Sequence, residues 1–244
     1  MDSMRTKLAS LEYPGRLIVI GAAPAGGRAV IIYAITGRSP SSQARRLVLR
    51  DGGIWVEPTD EATLKQGHVD LLVYPAVLFS RAGLAVSNGK QTTDVRDRLA
   101  PSAGPVPALA AALASWDFEP DAPIFTPRIS GCLAGGAAGL SVVRRGPSGE
   151  TLRNYFEAVL RPGEGRLVST YEGPNADPLP VFRGEPRFVD LAGSTAAETA
   201  EDAYRSLGPE PSARDFRVAV ACVFVSPGEP DKVDVRIINR HERT

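Results

Sequence analysis

Histidine and cysteine are scarce in this chain of 244 residues, which contains two of each. His68 lies in a polar turn, and His241 is the fourth residue counted back from residue 244. A zinc site normally requires two or more His or Cys ligands, and a Ser-His-Asp triad requires a placed histidine. We therefore expect no metal site, and any catalysis must come from Arg, Tyr, Asp, Glu, Asn or backbone groups.

The cysteines, charges and apolar runs exclude several other classes of protein. Cys132 and Cys222 form no CxxC pair, so we expect no disulfide framework and a reducing, cytoplasmic location. The 28 Lys plus Arg balance the 28 Asp plus Glu, which argues against a nucleic-acid or membrane-surface partner. No apolar run approaches the ~20 residues of a membrane span, and residues 1–12 lack the apolar core of a secretory signal.

Short apolar runs separated by turn residues predict strands joined as hairpins. The predicted strands lie at 17–21, 29–35, 46–50, 54–57, 69–74, 84–87, 129–133, 139–145, 152–160, 166–171, 216–225 and 232–239. Segments 152–160 and 166–171 are expected to form one long hairpin. The predicted helices lie at 94–99, 106–116 and 194–207, the first of them capped by Thr92 or Thr93.

These elements predict an α+β fold. Consecutive hairpins favour antiparallel sheets, and segments 29–35 and 217–225 are apolar on both faces, so both faces must be covered. We expect a layered sandwich of two largely antiparallel sheets with helices outside. No linker divides the sequence, so residues 13–244 are expected to form one domain, after an N-terminal extension, residues 1–12, that is a loose tail or a short helix.

The segment 33–45, YAITGRSPSSQAR, places possible anion-binding groups directly after an apolar strand. Arg38 and Arg45 offer forks of N–H donors that suit phosphate, and Ser39 and Ser42 add short hydroxyl donors. The other interpretation is a solvated loop of turn-favouring Ser and Pro residues. The residue types alone leave both interpretations open.

Two single residues carry candidate chemistry. Tyr74, at the end of the predicted strand 69–74, is either a proton-transfer phenol or a core-edge tyrosine. Asn88, in a Ser-Asn-Gly sequence, either presents its amide to a ligand or serves a tight turn.

Three longer segments also contain residue types with possible functions. The Pro-rich segment 119–128 holds Glu119, Asp121 and Arg128, which form either a general base with a tuned pKa or a surface salt bridge. Segment 170–180 is most simply an ordinary turn. The Gly-rich segment 21–27 leads into a strand, which does not fit a dinucleotide-binding fold.

Four motifs in order and in register resemble those of the archaeal-type IMP cyclohydrolase family. They are YPGR at 13–16, ITGRSxxSxxR at 35–45, SNG at 87–89 and EPDxPxxTPRI at 119–129. The likeness extends from about residue 13 to about residue 240, which is most of the chain.

The resemblance implies a four-layer αββα fold of the N-terminal-nucleophile-hydrolase type. It also implies the last step of inosine monophosphate synthesis, in which a formamidoimidazole-carboxamide ribonucleotide loses water and closes its ring. This reaction needs a base, an acid and a few hydrogen-bond donors, but no metal or other cofactor. The partner implied is therefore a small purine nucleotide.

The resemblance also suggests roles for individual residues. Arg38, Tyr74 and Glu119 are expected to line the reacting groups, with Tyr74 or Glu119 in proton transfer. The remaining expected substrate contacts are Arg45, Ser39 and Ser42 at the phosphate or carboxamide end, Asn88 and Arg128 at the base or ribose, and Arg16.

Two alternatives to this activity stay open at the level of sequence. A member of the family could cyclise a different purine-like nucleotide, or it could bind a nucleotide without catalysis. Exposed edges in a sheet-rich domain also favour a homo-oligomer.

Overall fold

The structure is a computed structural model, and it describes residues 3–25, 27–60, 73–100, 102–209, 213–226 and 228–243. Its strands are β1 (Arg16–Ala22), β2 (Ala29–Thr36), β3 (Arg45–Arg50), β4 (Gly53–Pro58), β5 (Tyr74–Ser80), β6 (Gly83–Ser87), β7 (Arg128–Ala134), β8 (Ala137–Arg145), β9 (Thr151–Ala158), β10 (Glu164–Ser169), β11 (Arg187–Asp190), β12 (Arg217–Ser226) and β13 (Glu229–Asn239). Its α-helices are α1 (Met4–Ala9), α2 (Pro40–Gln43), α3 (Gln91–Asp97), α4 (Pro105–Leu113) and α5 (Ala196–Ser206).

The strands form two sheets in which neighbouring strands are antiparallel. The 6-stranded sheet has the order β11-β10-β1-β2-β12-β13, and the 7-stranded sheet has the order β3-β4-β5-β6-β7-β8-β9. The second sheet is a simple meander, since each strand pairs with the next one along the chain. The first sheet is not, because β10 and β12 pair with β1 and β2 from distant parts of the sequence.

Strand β2 shows why both faces of the 6-stranded sheet are buried. Ile31, Tyr33 and Ile35 point into the core between the two sheets. Val30 and Ile32 point the other way, into a second core beneath α1 and α5. Side chains alternate between the faces of a strand, so an unbroken apolar run fits a strand that is covered on both sides.

Helices cover the outer face of each sheet. Met4 and Leu8 of α1 and Ala200 of α5 are buried against the 6-stranded sheet. Val95 of α3 and Leu109 of α4 are buried against the 7-stranded sheet. The layers therefore run helix, sheet, sheet, helix, which confirms the predicted α+β sandwich. The N-terminal-nucleophile-hydrolase type stays a prediction.

The predicted hairpin of 152–160 with 166–171 is wrong. Strand β9 is the last strand of the 7-stranded sheet, whereas β10 lies inside the 6-stranded sheet between β1 and β11. The burial of β10 explains its position, because Leu167 faces the helix-covered core and Val168 faces the core between the sheets. A strand that is apolar on both faces is stabilised more inside a sheet whose two faces are covered than beside an edge strand, because more of its apolar surface is buried.

Two further predictions about strands and helices need correction. Tyr74 begins β5 instead of ending a strand at 69–74, and positions 61–72, with His68, lie outside the described residues. Helix α3 begins at Gln91, so Thr92 lies inside the helix, where its hydroxyl donates to the Gly89 carbonyl at 2.8 Å.

Helices α1 and α2 add to the three that the sequence predicts. Of the two forms expected for residues 1–12, the helix is observed, with Ser3 as its N-cap. In α2, Ser39 is the N-cap and Pro40 occupies the first turn, which is a common helix start. Among the described residues, none of the helices is long and apolar enough to cross a membrane.

Candidate active site

A pocket of about 390 Å³ opens at one end of the sandwich, where loops from both sheets meet. Its lining combines arginines, hydroxyls, carboxylates and aromatic rings. The lining residues are Tyr13, Arg16, Arg38, Ser39, Ser41, Ser42, Arg45, Glu119, Asp121, Ile124, Tyr171 and Leu179. The structure therefore brings together the YPGR motif, the 35–45 motif and the 119–129 motif.

Gly15 allows the YPGR segment to pack closely against the segment that carries Tyr171. Its φ is +72°, and a Cβ at this position would lie 2.7 Å from the Tyr171 ring and would also meet the Thr170 hydroxyl. A side chain is therefore excluded both by the backbone conformation and by space. The close packing places Tyr13 and Arg16 on either side of the turn, and both line the pocket.

The hydroxyls of Ser39 and Ser42 hold the loop between β2 and β3 in shape. Ser39 Oγ accepts from the Ser42 amide at 3.2 Å, and Ser42 Oγ accepts from the Ser39 amide at 2.9 Å. This reciprocal pair is a capping box, which satisfies amides at the start of α2. Both serines line the pocket, but the structure uses their hydroxyls first to fix the loop that carries Arg38 and Arg45.

Arg38 and Arg45 both line the pocket and bond to backbone carbonyls. Arg38 Nη1 donates to the Ala176 carbonyl at 3.2 Å, and its guanidinium lies 5.9 Å from the centre of the Tyr13 ring. Arg45 is only 5% exposed, and its Nε donates to the Ser42 carbonyl at 2.8 Å. Among the described residues, neither guanidinium forms an ion pair, so both positive charges are available to an anion.

Glu119 lies at the inner end of the pocket and is held by two donors. Arg16 Nη2 donates to Glu119 Oε1 at 2.6 Å, and Asn88 Nδ2 donates to the same oxygen at 3.1 Å. Glu119 Oε2 accepts no hydrogen bond from the described part of the chain. Burial is the largest single effect on Arg16 and would lower its pKa, but the Glu119 carboxylate and the nearby tyrosines together outweigh it, so the pKa is raised well above its usual range.

Asn88 is not part of the pocket lining, because its amide is fully used inside the protein. Its Nδ2 also donates to the Pro127 carbonyl at 2.9 Å. Its Oδ1 accepts from the Ile129 amide at 2.9 Å and from Gln91 Nε2 at 3.0 Å. With 1% exposure, Asn88 joins the SNG motif to the 119–129 motif and orients Glu119.

Tyr74 lies behind the pocket and forms a buried pair with Tyr33. The two phenol oxygens are 2.9 Å apart. Burial, together with the neighbouring Tyr74, raises the pKa of Tyr33 well above its usual range. Both phenols are close enough to Arg16 to raise its pKa. The tyrosine pair therefore borders the Arg16–Glu119 contact from the core side.

Arg128 is not among the residues that line the pocket, although it lies close enough to Glu119 for their charges to interact. Its guanidinium stacks 4.8 Å from the centre of the Trp116 ring, and its Nε donates to the Asp117 carbonyl at 2.8 Å. Burial lowers the pKa of Arg128, although the Glu119 carboxylate opposes this effect. Of the two acids of the 119–128 segment, Glu119 thus contacts Arg16 instead of Arg128, and Asp121 accepts hydrogen bonds from Thr126.

Tyr13 and Tyr171 are pocket residues that the sequence did not single out as candidates, and Asp121, a candidate of the 119–128 segment, also lines the pocket. The rings of Tyr13 and Tyr171 stack with their centres 5.6 Å apart, and Phe216 packs edge-on against Tyr13 at 5.3 Å. For Tyr13 and Asp121 a signal existed, since both belong to motifs quoted above. Tyr171 lies in a segment that turn chemistry explained, so the residue types alone gave no signal.

The described part of the chain contains no group of three or more His, Cys, Asp or Glu residues arranged to hold a metal ion. Cys132 and Cys222 are both free and buried. The chemical groups at the pocket are therefore carboxylates, guanidinium groups, phenols and hydroxyls.

A family model described as "IMP cyclohydrolase-like protein" matches residues 13–226 of the chain. The chain belongs to the IMP cyclohydrolase-like family. Curated relatives named IMP cyclohydrolase include one from Haloarcula marismortui, 31% identical over 219 residues that cover 85% of this chain and 98% of the relative. Another, from Natronomonas pharaonis, is 32% identical over 193 residues that cover 79% of this chain and 85% of the relative.

A third relative of the same name, from Methanothrix thermoacetophila, is 27% identical over 193 residues, again 79% of this chain and 85% of the relative. The segment matched by the IMP cyclohydrolase-like family contains the whole pocket lining, from Tyr13 to Leu179.

Proposed function

We propose that this protein is an IMP cyclohydrolase that closes the ring of 5-formamidoimidazole-4-carboxamide ribonucleotide to give inosine monophosphate. The observation that carries the proposal is the pocket itself, which joins an oriented carboxylate to two unpaired arginines inside the family-matched segment. The pocket offers a basic end for a phosphate and an acidic end for the reacting groups.

The reaction requires only proton transfers and a fixed geometry. The carboxamide nitrogen attacks the formyl carbon, and one of its protons reaches the formyl oxygen, so a ring with a hydroxyl group forms. The hydroxyl then leaves as water with the proton of the neighbouring formamide nitrogen, and a C=N bond forms. Because nucleophile and electrophile belong to one molecule, holding them in contact supplies much of the rate enhancement.

Glu119 is suited to receive the carboxamide proton. Arg16 and Asn88 fix Oε1, which leaves Oε2 of this pocket-lining residue free of hydrogen bonds from the described residues. A carboxylate held in one orientation can act as a base without first reorganising. Tyr74 would act from the core side, next to Arg16. There its phenol helps to raise the pKa of Arg16 and so to keep the guanidinium charged.

Arg38 and Arg45 are suited to bind the phosphate or the carboxamide end. Neither has a carboxylate partner in the described part of the chain, so an anion gains their full attraction. Arg45 is held almost completely buried by the α2 loop, whereas Arg38 is more open. Asn88 and Arg128 would contribute indirectly, by supporting Glu119 and the 119–129 segment.

The activity can be followed by ultraviolet absorbance with purified protein and the formylated precursor, because ring closure changes the chromophore. We expect turnover without added metal. The absence of both turnover and inosine monophosphate binding would contradict the proposal. Tight binding of inosine monophosphate without turnover would instead indicate a non-catalytic nucleotide-binding protein.

We also propose that the protein is cytoplasmic, binds no nucleic acid and forms a homo-oligomer. In each chain, residues 13–244 would form a single domain. The two free cysteines support the first point, and the balanced charge supports the second. The described strands leave β3, β9, β11 and β13 at the sheet edges, where a second copy could pair. Light scattering after size-exclusion chromatography measures the number of chains directly.

A further inference from the structure

Three side chains at the pocket form a hydrogen-bond relay, which we define as Asp121, Thr126 and Tyr171. The Asp121 carboxylate accepts the Thr126 amide through Oδ1 at 2.6 Å and the Thr126 hydroxyl through Oδ2. The Thr126 hydroxyl oxygen lies 2.8 Å from the Tyr171 phenol oxygen. Thr126 is fully buried, whereas Asp121 and Tyr171 line the pocket.

The chemistry of the three groups fixes the direction of the relay. A carboxylate only accepts hydrogen bonds, so the single hydroxyl proton of Thr126 points to Asp121. The contact between Thr126 and Tyr171 then has one available proton, that of the phenol. Tyr171 must therefore donate to Thr126.

Tyr171 keeps this proton at neutral pH. Burial raises the pKa of its phenol, and the nearby Arg16 and the Thr126 contact oppose that rise without cancelling it. With its proton committed to Thr126, the phenol oxygen can act toward the pocket only as an acceptor. Glu119, another residue of the pocket lining, is also an acceptor.

We infer that the Asp121–Thr126–Tyr171 relay makes Tyr171 an acceptor for an N–H of the nucleotide's carboxamide, so that Tyr171 determines specificity for a carboxamide over a carboxylate. The inference rests on the proposed function for the identity of the nucleotide. A carboxylate at the same place would set its own oxygens against the Tyr171 oxygen. The unpaired acceptors would then cost binding energy.

The test is calorimetric titration with two ligands that cannot close the ring. They are 5-aminoimidazole-4-carboxamide ribonucleotide and its 4-carboxylate analogue. The two differ only in the group that would contact the Tyr171 oxygen. We expect the wild type to bind the carboxamide, and Tyr171→Phe to lower the ratio of carboxamide to carboxylate affinity about tenfold.

Thr126→Val is the second variant, and it leaves the phenol in place. It should lower the same ratio about threefold, because the Tyr171 proton is then free to turn toward the pocket. The double variant should match Tyr171→Phe alone, since both changes act through one oxygen. Tyr204→Phe, another buried tyrosine but one far from this pocket, should leave the ratio unchanged.

Each outcome decides the inference. A selective loss of carboxamide affinity in both single variants supports it. Equal losses for both ligands, no loss in either variant, or no binding of the carboxamide by the wild type would overturn it. Failure of the proposed function has a different signature, which is absence of ring closure by the wild type in the absorbance assay.

Discussion

Two cavities in this molecule have similar charged groups but differ in how those groups are used. The candidate active site contains Arg16, Arg38 and Arg45 within about 390 Å³. A second cavity, here called the distal cavity, is larger, at about 570 Å³. The distal cavity is lined by Tyr204, Asp215, Arg217, Arg240, Glu242 and Arg243.

Two of the three arginines that line the distal cavity have carboxylate partners, whereas Arg240 donates to backbone carbonyls. Arg217 donates to both carboxylate oxygens of Asp215, at 3.0 and 2.8 Å. Arg243 forms a similar double contact with Glu201. Their charges are therefore largely cancelled, and an anion entering this cavity would have to compete with carboxylates already in place.

Within the part of the chain that the structure describes, Arg16 is the one arginine of the candidate active site paired with a carboxylate, while Arg38 and Arg45 contact backbone carbonyls. The family match covers the whole lining of the candidate active site but only half of that of the distal cavity, since it ends at residue 226, before Arg240, Glu242 and Arg243. The comparison teaches that the larger cavity is not the better candidate. Unpaired charge beside an oriented carboxylate is the more informative feature.

The largest effect is expected from the carboxylates. Glu119→Gln should lower kcat by about 100-fold or more, because the amide cannot accept the carboxamide proton. The matched change in the distal cavity, Glu242→Gln, should leave kcat unchanged. Steady-state absorbance kinetics on both variants measure this difference, and equal kcat values would remove the functional distinction between the cavities.

The next effect concerns stability. Asn88→Ala removes four hydrogen bonds of a buried amide and leaves the Ile129 amide without its acceptor. The free energy of unfolding should fall by about 2 kcal/mol. Asn154→Ala, at an exposed position of β9, is the control and should change it by less than about 0.5 kcal/mol. Urea denaturation compares the two, and similar midpoints would mean that Asn88 does not hold Glu119 in place.

A smaller effect is expected from the arginines. Arg38→Ala should raise KM about tenfold, because an unpaired guanidinium contact with an anion is lost. Arg240→Ala is the matched control, since Arg240 also donates to backbone carbonyls and borders a cavity. Its KM should equal that of the wild type. A rise in KM for Arg240→Ala alone would assign the nucleotide to the distal cavity.

The smallest effect tests the charge cancellation in the distal cavity. Although burial would raise it, the pKa of Asp215 is lowered by its hydrogen bonds with Arg217. A lowered folded-state pKa stabilises the protein above the unfolded-state pKa, and this stability is lost as the pH falls through the folded-state value. Asp215→Asn should therefore lower the free energy of unfolding by about 1 kcal/mol at pH 7, and by progressively less as the pH falls below about 4. Thermal unfolding of both proteins across that range measures the difference, and a constant difference would contradict it.

Much of the fold follows from local patterns in the sequence. The hairpins β1–β2 and β3–β4 and the helix α5 lie close to their predicted places, because turn residues and caps act over a few positions. The placement of β10 could not be predicted in this way. Its partners β1 and β11 are chosen by the burial of both faces, which depends on distant parts of the chain.

The same distinction applies to the site. Arg38, Ser39, Ser42 and Arg45 lie in one short segment, so their convergence was visible in the sequence. Tyr171 was not, because its role depends on Thr126, which is 45 positions away. Side-chain partners of this kind are fixed by the packing of the two sheets, and no local pattern encodes them.

The most direct measurement is a crystal structure of the protein with inosine monophosphate. We expect the phosphate to contact Arg38 and Arg45 in the 390 Å³ pocket, with the base between Glu119 and Tyr171. A nucleotide bound in the distal cavity, or an empty pocket at saturating ligand, would contradict the assignment of this pocket as the active site.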